Sequence, residues 1–245
     1  MHGCLPPHPR DELPAIARRA QRALFFVLSW ALAPWSAHAA ELTPTEQRWL
    51  QGLWPVVAQV RAQQWPVDIV VQPQDAPGAA PLALGFVGGR CKLVLSMRAN
   101  PQAQATLERI APDLLDAALG LMAAHEIHGH CRRHLDGAWQ SAPAGVDAEP
   151  PAALEADLRA AWIAMRATRR EEAFADLAGL AWARQHQAAL YPRLHAWLVA
   201  ERGHDLIEGS HHDTLAWLAR AAPSAAEAAL RDPAGLWREV LEAER

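Results

Sequence analysis

The stretch Ala123–His134 reads A-A-H-E-I-H-G-H-C-R-R-H and places four histidines and a glutamate within ten residues, His125 to His134. Upstream, Leu115, Ala118, Met122 and His125 recur at three- and four-residue intervals. The segment therefore continues an amphipathic helix and turns His125 toward the core. The spacing of His125 and His130 conflicts with that helix. Five residues of a regular α-helix turn through about 500°, which leaves the two rings about 140° apart and unable to meet at one point. A π-bulge absorbs one extra residue and brings them onto one face. Gly129 lowers the cost of such a distortion because it has no side chain to clash.

Around this segment the pattern predicts an α+β chain: a small N-terminal antiparallel sheet packed on a mainly helical body that carries two active-site helices. Thr43 or Thr45 caps a first helix running to about Gln64, with Trp49, Leu53, Val56, Val57 and Val60 as its apolar stripe. W-P-V-D-I-V-V-Q-P reads as a strand, and two more strands turn at Gly88-Gly89. Beyond Asn100-Pro101, a cap followed by proline at the first helical position, everything is helical in pattern. A loop from Leu135 to Pro151 separates the histidine helix from a long helix, or pair of helices, ending near Gln187. Tyr191–Arg202, Thr214–Ala221 and Ser224–Arg245 follow as helices.

The N-terminus reads as an export signal. Arg18, Arg19 and Arg22 precede the apolar run Ala23–Trp35, and Ala37-His38-Ala39 has the small-x-small form of a cleavage site. The expected organisation is residues 1–39 as signal peptide and 40–245 as a single domain; the alternative is an uncleaved membrane anchor. Of 23 basic and 27 acidic residues, residues 1–39 hold four and two, leaving 19 and 25 and a charge of −6 in the mature chain. That balance argues against a nucleic-acid partner. Two cysteines remain, Cys91 and Cys131. In an exported chain they form a disulfide or stay as buried thiols, and Cys131 as a metal ligand is a third option.

A metal bound by His125 and His130 needs a further ligand. R-R-E-E-A-F-A-D-L-A-G-L holds Glu172 and Asp176 four residues apart. Stepping back from Glu172 by helical intervals meets Met165, Ala161 or Trp162, Leu158 and Leu154, which places Glu172 on an apolar face. Burying an unpaired carboxylate costs several kcal/mol or a large pKa shift, and a metal removes that cost. Asp176, one turn on, is suited to hold a ligand histidine by its other ring nitrogen. The opposing expectation pairs these acids with Arg169 or Arg170 on a solvated face, the role expected of Glu171. A second ligand set, Glu126, His130 and His134 at i, i+4 and i+8, needs no bulge; it consumes the glutamate and predicts metal storage or structure. His128 is expected on the solvent side, the alternative being a distal ligand to a second ion.

The pairing of H-E-x-x-x-H with a downstream E-E-x-x-A-D resembles zinc peptidases of the gluzincin type. The spacing His125–Glu126–His130 is similar to that of the dipeptidyl peptidase III family, and Glu172 with Asp176 to the E-x-x-x-D helix of the wider clan. The resemblance covers residues 118–134 and 168–183. It implies that His125, His130 and Glu172 bind one zinc ion, that Glu126 is the general base, and that Asp176 orients a ligand. It also implies an oxyanion-stabilising histidine, His211 or His212 in S-H-H-D-T; the alternative is that Ser210 or Asp213 caps the next helix and the histidines are bystanders. The implied activity is hydrolysis of a peptide or protein substrate. The rivals are an exported metal-binding protein without catalysis and a degenerate peptidase fold that binds a partner. Trp139 is the tryptophan expected to line a cleft.

Overall fold

In the computed structural model, Thr43 starts the first helix by a reciprocal cap. Its hydroxyl accepts from the Glu46 N–H at 3.2 Å, and the Glu46 carboxylate accepts from the Thr43 N–H at 2.6 Å. Glu46 is buried, and Arg98 pairs with it at 3.0 Å. The helix, α1 (Pro44–Ala62), buries Trp49, Leu53, Val56, Val57 and Val60, the stripe read from the sequence. The structure describes residues 41–74, 76–135, 152–204 and 206–223. The expected signal peptide (1–39), Trp139 and the helix at Ser224–Arg245 lie outside the described residues.

Three strands follow: β1 (Val67–Pro73), β2 (Leu82–Val87) and β3 (Arg90–Arg98). Gly88 and Gly89, at φ 60° and 74°, make the two-residue turn that joins β2 to β3. β2 and β3 pair antiparallel, but β1 pairs parallel to β3, with Val67 opposite Cys91. The sheet has the order β1-β3-β2 and is mixed, a correction to the all-antiparallel sheet expected from the sequence. Two reversals, one between β1 and β2 and one at Gly88-Gly89, return the chain to its first direction. β3 then inserts between its predecessors instead of adding at the edge, so it runs with β1 and against β2.

Among the described residues, the elements that follow are helices: α2 (Pro101–Arg109), α3 (Leu115–Ala124), a π-helical segment (His125–Cys131), α4 (Arg132–Leu135), α5 (Ala156–His186), α6 (Tyr191–Gly203) and α7 (Leu215–Arg220). The chain is thus α+β. Asn100 caps α2 by accepting from the Gln102 N–H at 3.1 Å. α5 is one helix of 31 residues, where the sequence left one or two open. Its C-terminal half, Ala173–Ala183, is buried throughout and lies against α3 and the π segment. Its N-terminal half stands in solvent, with Leu158 59% and Met165 41% exposed. The apolar stripe traced back from Glu172 is therefore not a core face. Among the described residues no helix is long and apolar enough to cross a membrane.

Cys91 and Cys131 form a disulfide with a Cα–Cα distance of 5.7 Å. It joins the central strand to the last residue of the π segment, and both cysteines are fully buried. Cys131 is therefore not a metal ligand.

Candidate metal centre

The extra residue between His125 and His130 is taken up by the π segment, whose wider turn brings the two rings together. Their Nε2 atoms lie 3.2 Å apart. Gly129 has a further reason to be glycine: a Cβ there would sit 2.5 Å from Cα and Cβ of Ala175. The missing side chain lets the π segment lie directly on α5, so the steric demand comes from between the helices as well as from within the turn.

α5 supplies the carboxylates. Glu172 Oε1 lies 3.4 Å from His130 Nε2, and Oε2 lies 3.6 Å from His125 Nε2. His125, His130 and Glu172 each offer one ligand atom, all within 4.8 Å of one another, and they form the group of this kind found among the described residues. The rival set does not assemble there. His134 is exposed and stacks on Phe86, with ring centroids 4.3 Å apart.

The other ring nitrogens are held from behind. His125 Nδ1 lies 3.0 Å from Asp176 Oδ1, and His130 Nδ1 lies 3.0 Å from Glu171 Oε1. When each Nδ1–H donates to its carboxylate, the two Nε2 lone pairs face each other and Glu172. Such an arrangement needs a cation at its centre: a shared proton or a metal ion. Burial opposes charging of His130, but hydrogen bonds to Glu171 and Glu172 outweigh it and raise its pKa to about 10. Burial likewise opposes ionisation of Glu172, but the His130 hydrogen bond and the nearby His125 and Arg202 charges lower its pKa to about 2. A divalent cation fits this donor set of two imidazoles and a carboxylate, the ligand types zinc prefers.

Asp176 is fully buried and satisfied on both oxygens. Arg202, from the end of α6, donates to it from Nε at 2.9 Å and Nη2 at 2.6 Å, and Thr214 donates its hydroxyl at 2.6 Å. Arg202 also reaches Glu172 at 3.4 Å. Burial works against the Asp176 charge, yet Arg202 and His125 hold its pKa well below the usual carboxylate range.

Glu126 is buried and lines the same cavity, and its Oε2 has no hydrogen-bond partner among the described residues. His212 Nε2 lies 3.7 Å from Glu172 Oε2, with the ring half-exposed; His211 also lines the cavity, its ring centroid 3.9 Å from that of His212. Burial first, and then the Arg202 charge, push the His212 pKa down to about 4. The cavity measures about 790 Å³ and is bounded by edge strand β2 at Leu82–Leu84 and by Trp197 and Leu198 of α6.

Several expectations need correction. Glu171 does not pair with Arg169 or Arg170 on a solvated face: it holds His130 and pairs with Arg133. Arg169 turns instead to the backbone carbonyls of Gly209 and Ser210. Neither Ser210 nor Asp213 caps α7; its first flanking residue is Thr214, whose hydroxyl serves Asp176. His128 is largely buried, edge-on to Trp65 at 5.4 Å, and burial together with the Arg132 and His186 charges lowers its pKa to about 4. Arg202 and Thr214 carried no sequence signal, since an arginine in a last turn and a threonine before a helix are ordinary at those places.

No protein-family model, curated protein or solved structure matches the chain.

Proposed function

We propose that this chain is an exported zinc-dependent peptidase, with His125, His130 and Glu172 as metal ligands and Glu126 as general base. The observation that carries the reading is the convergence of three ligand atoms within 4.8 Å, with both histidines held at Nδ1 by carboxylates. Glu126 is the second support: it lines the same cavity, and its Oε2 has no hydrogen-bond partner among the described residues, so the carboxylate keeps a lone pair free to take a proton. Zinc held there would supply Lewis acidity, polarising the scissile carbonyl and lowering the pKa of water toward about 7.

The residues do the rest. Water adds its oxygen to the carbonyl carbon while Glu126 takes its proton. The C–N bond then breaks as Glu126 passes that proton to the leaving nitrogen, giving an acid and an amine. His212, held neutral, can donate a hydrogen bond to the oxygen that gains charge. Asp176 and Glu171 keep the ligand rings in one tautomer. β2 is an edge strand with no strand partner on its outer side among the described residues, and it borders the cavity. A sheet edge recognises extended peptide backbone, which favours a peptide substrate. The Cys91–Cys131 disulfide supports an oxidising compartment.

The test is metal analysis by mass spectrometry on metal-replete protein, with hydrolysis of a mixed peptide pool as second readout. The reading expects about one zinc per chain, loss of zinc in Glu172→Ala, and retained zinc with lost hydrolysis in Glu126→Gln. Zinc retained in Glu172→Ala, or metal loss in Glu126→Gln, would overturn this ligand assignment. Zinc bound normally with no hydrolysis by the wild type would leave a metal-binding protein.

A further inference from the structure

His211 and His212 sit on residues 206–214 ahead of α7, where neither helix nor strand sets the backbone. The segment is nevertheless tied down at two points, both on α5. Arg169 Nε donates to the Ser210 carbonyl at 2.9 Å, and its Nη2 donates to the Gly209 carbonyl. Four residues later, the Thr214 hydroxyl donates to Asp176 Oδ2 at 2.6 Å. Arg169, Glu172 and Asp176 are spaced i, i+3 and i+7 and share one face of α5. The two anchors therefore lie one turn before and one turn after the carboxylate that His212 approaches at 3.7 Å.

We propose that Arg169 is a positioning residue that, with Thr214, straps residues 207–214 across α5 and so holds His212 at the metal centre. The proposal rests on the peptidase reading above. Its physical basis is the grip on two successive carbonyls. The Gly209 carbonyl belongs to the peptide plane entering Ser210, and the Ser210 carbonyl to the plane leaving it. A single planar guanidinium bonded to both fixes the direction in which His211 departs. Within the strap, the Gly209 N–H donates to Asp213 Oδ2 at 2.9 Å, and the Ser210 N–H to the Ile207 carbonyl at 3.0 Å. Gly209 has φ +77°, a backbone conformation that strains any residue bearing a Cβ, although the Cβ itself would meet Arg169 Nη2 only in ordinary contact at 3.5 Å. Glycine is thus favoured by backbone conformation where the strap meets its anchor. Arg169 is itself buried. Thr214 complements it at the far end, giving its hydroxyl to Asp176 and none to its own helix.

The experiment uses the full chain loaded with Co2+ and reads the paramagnetically shifted imidazole protons, beside kinetics on the mixed peptide pool and hydrogen exchange of residues 207–214. Arg169→Ala removes the anchor, Gly209→Ala strains the strap without removing a charge, and Arg169→Lys restores part of the grip. In the first two variants the His125 and His130 signals should persist, the His212 signal should move toward its diamagnetic position, and exchange should quicken in 207–214 alone. The rate constant kcat should fall roughly 100-fold, as for a misplaced catalytic group, with KM changed less than about twofold. Arg169→Lys should lie between these variants and the wild type. Unchanged His212 signals and exchange in both Arg169→Ala and Gly209→Ala would overturn the proposal while leaving the peptidase reading standing. If the wild type takes up no Co2+, the peptidase reading fails; the strap then stands or falls on exchange alone, lost protection in Arg169→Ala upholding it and unchanged protection refuting it.

Discussion

His125 and His130 face each other through their Nε2 atoms at 3.2 Å although five residues separate them, because the chain between them winds as a π-helix. The same turn leaves room for nothing at Gly129, which lies on Ala175. Gly129→Val should therefore push the π segment off α5. Overpacking of this kind costs about 1–3 kcal/mol. The expected outcome is a lowered urea midpoint together with a loss of zinc affinity, measured by chelator competition. A stable variant with unchanged affinity would show that the segment can shift without disturbing the ligands.

Asp176 balances His125, Arg202 and Thr214 in a fully buried site. Asp176→Asn keeps the shape but leaves the Arg202 charge buried without its main partner. Breaking a buried pair from one side costs about 3–5 kcal/mol. Loss of the carboxylate behind a ligand histidine also lowers metal affinity, by about 10- to 100-fold. Denaturant unfolding of the metal-free protein and zinc titration of the folded variant measure the two effects separately.

The disulfide closes a loop of 40 residues that contains most of β3, all of α2 and α3, and the π segment. Loop-closure entropy puts its contribution at about 4 kcal/mol. The paired substitution Cys91→Ser with Cys131→Ser should lower the urea midpoint accordingly. Because Cys131 adjoins His130, zinc affinity should fall as well. A loss of stability with unchanged affinity would assign the disulfide to the fold alone.

Metal-free protein should show a defined pH window. His130 has a folded pKa of about 10, above its ordinary 6.5, so its contribution is complete below about 6.5 and is lost as pH rises through about 10. Glu172 has a folded pKa of about 2, below its ordinary 4.5, so its contribution is present above about 4.5 and is lost as pH falls through about 2. The two contributions are complete together between about pH 4.5 and 6.5, whereas His128 and His212, each lowered to about 4, contribute fully only above about 6.5 and lose that contribution as pH falls through about 4, so stability of the metal-free chain should peak near about pH 6.5. At pH 7 zinc must displace the proton on His130, so calorimetry in buffers of different ionisation enthalpy should find about one proton released per zinc. No proton release would place the metal elsewhere.

Much of the architecture follows from local pattern. The cap at Thr43, the stripe of α1, the Gly88-Gly89 turn and the Asn100-Pro101 start are short-range features, and each occupies its expected place. The pairing of β1 with β3 was not legible, because strand order depends on where a hairpin inserts and not on the composition of any strand. The stripe behind Glu172 was misleading for a related reason: periodicity finds a face but not whether anything packs on it, and the first half of α5 meets solvent.

The candidate centre divides along the same line. The need for a widened turn between His125 and His130 follows from spacing along the helix, whereas Glu126, Glu172 and Asp176 are picked out by the resemblance of H-E-x-x-x-H and E-E-x-x-A-D to zinc peptidases, since the stripe behind Glu172 meets solvent. The role of Glu171 behind His130, the grip of Arg202 and Thr214 on Asp176, the hold of Arg169 on the loop of His211 and His212, and the pairing of Cys91 with Cys131 arose only from tertiary contact. Helical spacing constrains neighbours within about two turns, whereas these partners lie 26 to 41 residues apart and meet only when the helices and sheet pack.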